Sequence, residues 1–468
     1  MTFNSLAFLL FALIVYPVYW CSGTRLQNRL LLAASLFFYG SWDWRFLSLL
    51  GITIAVDYAC GRQIAASGHP AKRRFYLWLS LGSNLGILGF FKYFNFFQEN
   101  ALRLLASLGI HAQPALLNVI LPVGISFYTF QSMSYVIDVY RGITQPARSL
   151  PSFALFVSYF PQLVAGPIER SGHLLTQLEQ PRKITWEQLQ QGLWLIVWGL
   201  YKKVYVADHL AKVVETTFAK SGGWTGAEVL LSLYAFAFQI YGDFSGYSDM
   251  ARGLAKCMGI ELMINFGMPY RAHSPREFWR HWHISLSQWL RDYVYIPLGG
   301  NRTGEIRQYF NLVLTLVLGG LWHGAGWTFM LWGLYHGVLL ALQRAWKLHG
   351  PAGDKPAAAG LRAAQILGMF HLTCFGWLFF RANSLAQWSG MARAFGSNFG
   401  IPGMSTISYL IASLWFLIII ACAAKPLEGG LVVFRWPWWL RGLVYFVVVY
   451  SIIIFGVFDE RPFIYFQF

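Results

Sequence analysis

Charged residues are scarce in this chain of 468 residues. Lys, Arg, Asp and Glu together make up 12% of it, whereas hydrophobic residues make up 56%. A soluble domain carries about 25% charged residues, so this composition excludes an ordinary soluble protein. Apolar stretches of membrane-spanning length recur along the sequence. We therefore expect an all-α polytopic membrane protein.

Cysteine is also sparse, and its placement excludes a metal or disulfide framework. The five cysteines are scattered without a CxxC pair, and the sequence has neither a zinc-ligand spacing nor a Gly-rich phosphate loop. We expect no metal site and no resident cofactor. The N-terminus lacks the basic region and the small-residue cleavage site of a signal peptide, so the first apolar run should remain in the membrane.

The distribution of basic residues indicates membrane orientation. A net charge of +16 would suggest a nucleic-acid partner for a soluble protein. Here the basic residues cluster in short loops between apolar runs, as in 69–74 and 181–183. This is the positive-inside pattern, which fixes the direction in which a chain crosses the bilayer. We expect no nucleic-acid partner, cytoplasmic basic loops and a periplasmic N-terminus.

Hydrophobic periodicity predicts two groups of spans around a less regular middle. The predicted spans are 5–20, 30–41, 45–60, 75–97, 117–139, 308–322, 327–346, 361–381, 405–424 and 440–458. Segment 152–168 contains two prolines and a glycine, which predict a broken or re-entrant segment. Segments 187–216 and 228–256 are helical in period but too polar to face lipid on every side. We expect one membrane domain, 1–468, divided into N-terminal spans 1–150, a catalytic core 151–346, a flexible loop 350–359 and C-terminal helices 361–468.

Two histidines flanked by tryptophan lie in otherwise apolar surroundings, His283 and His323. An ionisable residue at membrane depth indicates function by default. In a helix each residue is rotated by roughly 100° from the one before it. If 278–294 is one helix, four polar residues therefore fall on the same face. They are Arg280, His283, Ser287 and Arg291. This cationic stripe could equally belong to an ordinary amphipathic helix at the membrane interface, and periodicity favours neither interpretation.

His323 lies in Gly319-Gly-Leu-Trp-His-Gly-Ala-Gly326, where the glycines allow backbone or a substrate to approach closely. A histidine is suited to general-base chemistry near neutral pH. The alternative is a buried histidine that binds a helix carbonyl. His336 follows 13 residues later and would point away from His323 in a continuous helix, so we expect a structural or supporting role for it.

Tyr241, Asp243 and Ser245 concentrate hydroxyl and carboxylate groups in a helical segment. Their surroundings do not fit the G-x-S-x-G motif of serine hydrolases and lack a strand. We therefore interpret them as the polar lining of a cavity rather than as a nucleophile. Arg291 and Asp292 could form an internal ion pair or bind substrate.

Seven motifs occur in order along nearly the whole chain. They are 121–128 LPVGISFY, 160–167 FPQLVAGP, 241–251 YGDFSGYSDMA, 277–287 EFWRHWHISLS, 289–293 WLRDY, 298–302 LGGNR and 319–324 GGLWHG, and the chain closes on 465–468 YFQF. In these motifs the sequence resembles the membrane-bound O-acyltransferase family, in its bacterial polysaccharide branch. His281 departs from that branch, in which an arginine is usual.

The resemblance implies a fold and a site. The implied fold is a ring of roughly 10–13 helices, with broken segments, around a central funnel. His323 would be catalytic, as a general base or as a transient acetyl carrier, with His283 as its partner. Further residues would bind the donor or form the polar core: Arg280, Ser287, Arg291, Asp292, Tyr241, Asp243, Ser245 and Trp322.

The resemblance also implies a function in the bacterial inner membrane. The chain would take acetyl from a cytoplasmic thioester, acetyl-CoA, for O-acetylation of an exported polysaccharide of the alginate or cellulose type. Because no convincing serine nucleophile is present, we expect a periplasmic serine esterase-like acetyltransferase as partner, beside membrane lipids and a polysaccharide synthesis complex. Two alternatives remain: a carrier or channel for acetyl groups or a glycan without chemistry of its own, and a lipid-modifying acyltransferase.

Overall fold

The structure is a computed structural model. It describes residues 1–110, 120–302, 304–346, 359–401, 404–423, 429–458, 461 and 463–464, and these residues contain helices but no strand. Residues 350–358 of the predicted flexible loop and the closing motif 465–468 lie outside the described residues, and Ala359 begins a helix. The chain forms two compact units, residues 1–189 with 254–262 (unit 1) and residues 190–253 with 263–468 (unit 2). The single-domain organisation and its internal boundaries stay predictions.

The helices of unit 1 include one for each predicted N-terminal span. Its helices are α1 Leu6–Trp20, α2 Thr24–Gly40, α3 Phe46–Ala66, α4 Pro70–Leu88, α5 Phe94–Ser107, α6 Ile125–Arg141, α7 Leu150–Ser158, α8 Phe160–Leu163 and α9 Thr176–Leu178. However, α6 begins at Ile125 rather than at 117, and α5 continues beyond the span predicted to end at 97. The predicted span 75–97 contains a π-helical turn, Gly89–Tyr93, between α4 and α5. α2 begins six residues before the predicted start because its first turn is polar, which an apolar window does not detect.

A buried carboxylate joins three helices of unit 1. Asp57 on α3 is fully buried and accepts hydrogen bonds from Ser80 and Asn84 on α4 and from Ser132 on α6. Neutral donors therefore satisfy its oxygens, as burial of a charged group requires. The sequence prediction did not include this cluster.

The prediction of a broken segment at 152–168 is confirmed. α7 ends at Ser158, Tyr159 leaves the helical conformation with ψ of 110°, and the four-residue α8 follows. The backbone N–H of Phe160 has no helical carbonyl to bind and donates instead to Ser35 Oγ at 3.1 Å. The break thus keeps its polar backbone satisfied by a neighbouring side chain.

Unit 2 contains the remaining helices, with most of α10 and α12. They are α10 Trp186–Leu200, α11 Asp208–Phe218, α12 Gly226–Lys256, α13 Pro275–His281, α14 Ile284–Leu290, α15 Glu305–His323, α16 Trp327–Ala345, α17 Ala359–Arg381, α18 Leu385–Ser397, α19 Met404–Ala423 and α20 Trp438–Phe455. The five predicted C-terminal spans correspond to α15, α16, α17, α19 and α20. α18 was not predicted.

A wide turn explains why segment 187–216 is so polar. The π-helical turn Tyr201–Ala207 separates α10 from α11 and buries two lysines. Lys202 Nζ lies 2.7 Å from Asp249 Oδ2, and Lys203 Nζ lies 3.0 Å from Asp208 Oδ1. Buried charges persist only when paired in this way. Lys202, Lys203 and Asp208 therefore face the interior of unit 2, whereas the segment's other charged residues, Glu187, Lys212 and Glu215, are exposed.

By length and composition, two helices in the described part of the chain could cross a membrane, Ala359–Arg381 and Trp438–Phe455. Leu6–Trp20 is apolar but shorter. The number of spans and the ring around a funnel stay predictions.

Candidate functional site

Close packing of α15 against α16 positions His323. A Cβ atom on Gly320 would lie 2.2 Å from Phe329 O, and one on Gly333 would lie 2.2 Å from Leu316 O. Both contacts are far closer than a methyl group permits, so these positions require glycine. We predicted that backbone approaches closely around His323, and α16 supplies that backbone. Its Phe329 ring also fills the space beside Gly324.

His323 is the last residue of α15 and is 4% exposed. Its ring centre lies 5.0 Å from that of Trp322, 5.1 Å from Trp332 and 5.3 Å from Phe380. The ring is thus enclosed by aromatic side chains at the carbonyl end of a helix.

The continuous helix predicted for 278–294 is wrong. α13 ends at His281, α14 begins at Ile284, and His283 between them has φ of 43°. Among the described residues it is the only non-glycine with positive φ. An extended neighbour causes the break: Gly267 N donates to His281 O, and Ile284 N donates to Asn265 O, both at 2.9 Å. Strained backbone of this kind is concentrated at functional sites.

Asn265 determines which nitrogen of His283 carries the proton. Asn265 Oδ1 accepts from Ser285 N at 3.2 Å and from Ser285 Oγ at 2.9 Å, so this atom is the amide oxygen. His283 Nδ1 lies 3.1 Å from the same oxygen and must donate to it. In the neutral ring Nε2 then carries the lone pair. Asn265 Nδ2 donates to Ser248 Oγ at 3.3 Å, which fixes the amide in turn.

The two histidines lie together in unit 2. Their ring centres are 6.2 Å apart, and Trp322 lies beside both, 5.8 Å from His283 and 5.0 Å from His323. His283 is fully buried, with Phe244 of α12 against its ring at 4.7 Å. The pair is thus enclosed by aromatic rings.

The predicted cationic stripe is not formed, because the break at His283 separates its members. Arg280 and Arg291 are exposed, and Arg291 Nε pairs with Asp292 Oδ1 at 2.7 Å. Ser287 Oγ donates to the carbonyl of Trp282 at 3.2 Å. Arg291 and Asp292 therefore form the predicted ion pair, but at the surface rather than in the interior.

The segment 241–249 contributes to the site through an apolar residue. Ser245 Oγ lies 2.9 Å from Lys202 Nζ, and Asp243 Oδ1 lies 2.6 Å from Lys203 Nζ. Tyr241 OH donates to Gly267 O at 3.2 Å. These three polar side chains bind protein groups, and Phe244 is the member that contacts His283.

Asp243 also binds a segment far along the chain. Its Oδ2 accepts from the backbone N–H of Ile464 at 2.7 Å. The preceding Phe463 packs edge-on against Tyr247, with ring centres 4.7 Å apart, and Lys203 Nζ lies 4.8 Å from its centre. α12 thus anchors residues 463–464 through the same carboxylate that pairs with Lys203.

His336 does not point away from the site as a continuous helix predicts. α15 and α16 are separate helices, and His336 is fully buried on α16. Its ring lies 5.1 Å from Trp332 and 5.3 Å from Trp279. Trp332 therefore packs against both His336 and His323.

Sequence reasoning missed three residues of this site, Asn265, Trp332 and Phe380. Asn265 is a single amide in the apolar run 262–268, and an isolated polar residue in such a run was the available signal. Trp332 and Phe380 are ordinary core residues in the pattern of their helices, and only tertiary packing places them against His323.

The comparisons with known proteins agree with the motifs. Residues 143–380 match the model of the membrane-bound O-acyltransferase family, MBOAT. The chain is 40% identical to the probable alginate O-acetylase AlgI of Pseudomonas putida, with 100% of both chains covered. It is 43% identical to the protein of the same description from Azotobacter vinelandii, over 92% of this chain and 87% of the relative. It is 38% identical to the peptidoglycan O-acetyltransferase of Helicobacter pylori, over 76% and 71%.

The matched region 143–380 contains every element of the site, from Phe244 to Phe380. The Pseudomonas putida relative matches this chain over the full length of both at 40% identity. A match of this extent establishes common descent along the whole chain rather than in one motif. This chain belongs to the membrane-bound O-acyltransferase family and is an O-acyltransferase.

Proposed function

We propose that this protein is an inner-membrane O-acetyltransferase that serves an exported polysaccharide of the alginate or cellulose type. The relatives are described as probable alginate O-acetylases and a peptidoglycan O-acetyltransferase. The donor is a cytoplasmic thioester, acetyl-CoA. The acceptor is the serine hydroxyl of a periplasmic esterase-like partner, which passes the acetyl group to the glycan. The N-terminus is periplasmic and the basic loops are cytoplasmic.

The observation that carries this proposal is the pair of enclosed histidines. His323 removes the proton of the acceptor hydroxyl while the oxygen attacks the thioester carbonyl. The C–S bond then breaks, and the leaving thiolate takes the proton back from His323. His283, whose Nδ1–H is bound to Asn265, presents its Nε2 lone pair to the acceptor hydroxyl and orients it. The aromatic enclosure excludes the water that would otherwise hydrolyse the thioester.

The test is thioester consumption by the purified protein in proteoliposomes with its periplasmic partner. His323→Ala should lower the rate of CoA release by about 10² to 10⁴-fold, the usual contribution of a positioned base. His283→Ala should lower it as well. His209→Ala is the matched control, because His209 is half-buried in unit 2 and its Nδ1 binds Tyr205 O at 2.7 Å.

Two results would count against the proposal. An unchanged rate in His323→Ala would remove that residue from the chemistry. If the wild-type protein consumes no thioester while labelled acetyl still crosses the membrane, the protein is a carrier rather than an enzyme.

A further inference from the structure

A cavity of about 570 Å³ opens in unit 2. Its lining includes two arginines, Arg276 and Arg344, the amides Asn301 and Gln343, and Trp279, and two leucines complete it. None of the lining residues that the structure describes is acidic. The cavity therefore combines two positive charges with hydrogen-bonding amides and an apolar wall.

Neutral acceptors hold Arg344 in place. Its Nη1 donates to Asn301 Oδ1 at 3.0 Å, and its Nη2 donates to Gln308 Oε1. Tyr295 OH donates to the same Asn301 oxygen at 2.8 Å, which fixes that amide. These contacts orient the guanidinium, and no carboxylate in the described part of the chain pairs with it.

A buried glutamine fixes another part of the cavity lining. Gln343 is 3% exposed, and its Oε1 accepts from the backbone N–H of Arg276 at 3.0 Å. This bond ties the first turn of α13 to α16. Both arginines are exposed, so their guanidinium groups are accessible to a ligand.

Trp279 connects the cavity to the histidines, and its Nε1–H is buried rather than open to the cavity. Its ring lies 5.7 Å from Trp332, and Trp332 lies 5.1 Å from His323. The wall of the cavity is therefore one aromatic layer away from the proposed base.

We infer that this cavity binds a ligand that bears a phosphate group. Guanidinium groups match phosphate oxygens in geometry and charge, and two of them exceed what a single carboxylate requires. A volume of about 570 Å³ lies in the range of small-molecule sites, so the ligand carries an organic part beside the leucines and Trp279. A phospholipid headgroup and a soluble phosphorylated thioester both have this chemistry. The thioester source rests on the proposed function, whereas phosphate binding does not.

The experiment measures binding of two probes to the full-length protein in detergent, radiolabelled CoA and labelled phosphatidylglycerol. The variants are Arg276→Gln, Arg344→Gln and their combination, with Arg393→Gln on α18 as the matched control at another exposed arginine. We expect the double variant to weaken at least one probe by about 10-fold or more, because each arginine makes a charge-assisted contact. Arg393→Gln should bind both probes as the wild type does.

Leu340→Trp provides a second test that keeps both charges. The larger side chain fills the cavity and should weaken the same probe, while size-exclusion chromatography verifies folding. Loss of CoA binding alone identifies the soluble source, and loss of phosphatidylglycerol binding alone identifies the lipid source. If neither the double variant nor Leu340→Trp changes either affinity by more than about 2-fold, the inference is wrong. His323→Ala should retain probe binding, so failure of the catalytic proposal is separable from failure of this one.

Discussion

Gly333→Ala should disable the enzyme although Gly333 touches neither histidine. The added Cβ would lie 2.2 Å from Leu316 O, against the 3.4 Å or more of an ordinary contact. The obstructing atom is backbone, so relief requires α16 to move away from α15 by about 1 Å. Trp332 precedes Gly333 and packs against His323 at 5.1 Å. The movement therefore shifts the ring that encloses the base.

A displacement of about 1 Å at a reacting group can lower a rate roughly 100-fold, and overpacking of this kind costs about 1–3 kcal/mol of stability. We expect both effects when initial rates of acetyl transfer and thermal unfolding are measured in the same detergent. Gly368→Ala on α17 is the control, because nothing lies within 4 Å of its added Cβ. A Gly333→Ala protein with wild-type rate and melting temperature would show that the packing of α15 and α16 does not position His323.

Three further predictions concern other clusters. Asn265→Ala should lower kcat about 10–100-fold, as loss of a histidine's supporting partner typically does, whereas Asn265→Asp keeps the acceptor oxygen and should restore most of kcat. Asn383→Ala is the exposed control, and equal rates in the Ala and Asp variants would show that Asn265 does not position His283. Asp57→Ala should lower stability by about 3 kcal/mol or more, since it strands three buried donors at about 1–3 kcal/mol each, and Asp57→Asn should lower it by less. A melting temperature matching that of the exposed control Glu99→Ala would refute this. The Glu169 carboxylate, 2.7 Å from His173 Nδ1, raises the pKa of His173. This pair therefore stabilises the fold below the ordinary pKa of histidine, and the contribution is lost as pH rises through the raised pKa. Glu169→Gln should make the melting temperature depend less on pH between about pH 6 and 8, and the same pH profile as the wild type would contradict this.

Local pattern was sufficient for most helices and insufficient for the site. Apolar periodicity and proline predicted α1, α15 to α17 and the break near Tyr159, because those features depend on residues adjacent in sequence. The break at His283 depends instead on hydrogen bonds from residues 265–267, which compete with helical bonds at His281 and Ile284. Since 278–294 keeps a helical period throughout, no local signal marks that competition.

The site itself was predictable only in part. Both histidines and Trp322 were identified, and the structure brings them together. Tyr241, Asp243 and Ser245 were assigned to a cavity lining. Asp243 and Ser245 bind two lysines that a π-helical turn buries, and Tyr241 binds Gly267 O. Assigning side chains to a helix face from sequence assumes a regular α-helix. A π-helical turn displaces every later side chain around the helix axis by about one position. The spacing of residues in the sequence does not reveal that displacement.

The contact between Asp243 and Ile464 has a consequence for biosynthesis. The two residues are 221 positions apart in sequence. At a translation rate of 5–20 residues per second, α12 is complete for roughly 10–45 s before its partner leaves the ribosome. During that interval Lys203 can already neutralise the carboxylate, but the second oxygen must be satisfied by water or by the insertion machinery. Maturation of α12 therefore waits for residues 463–464 and is not complete when the helix itself has been synthesised.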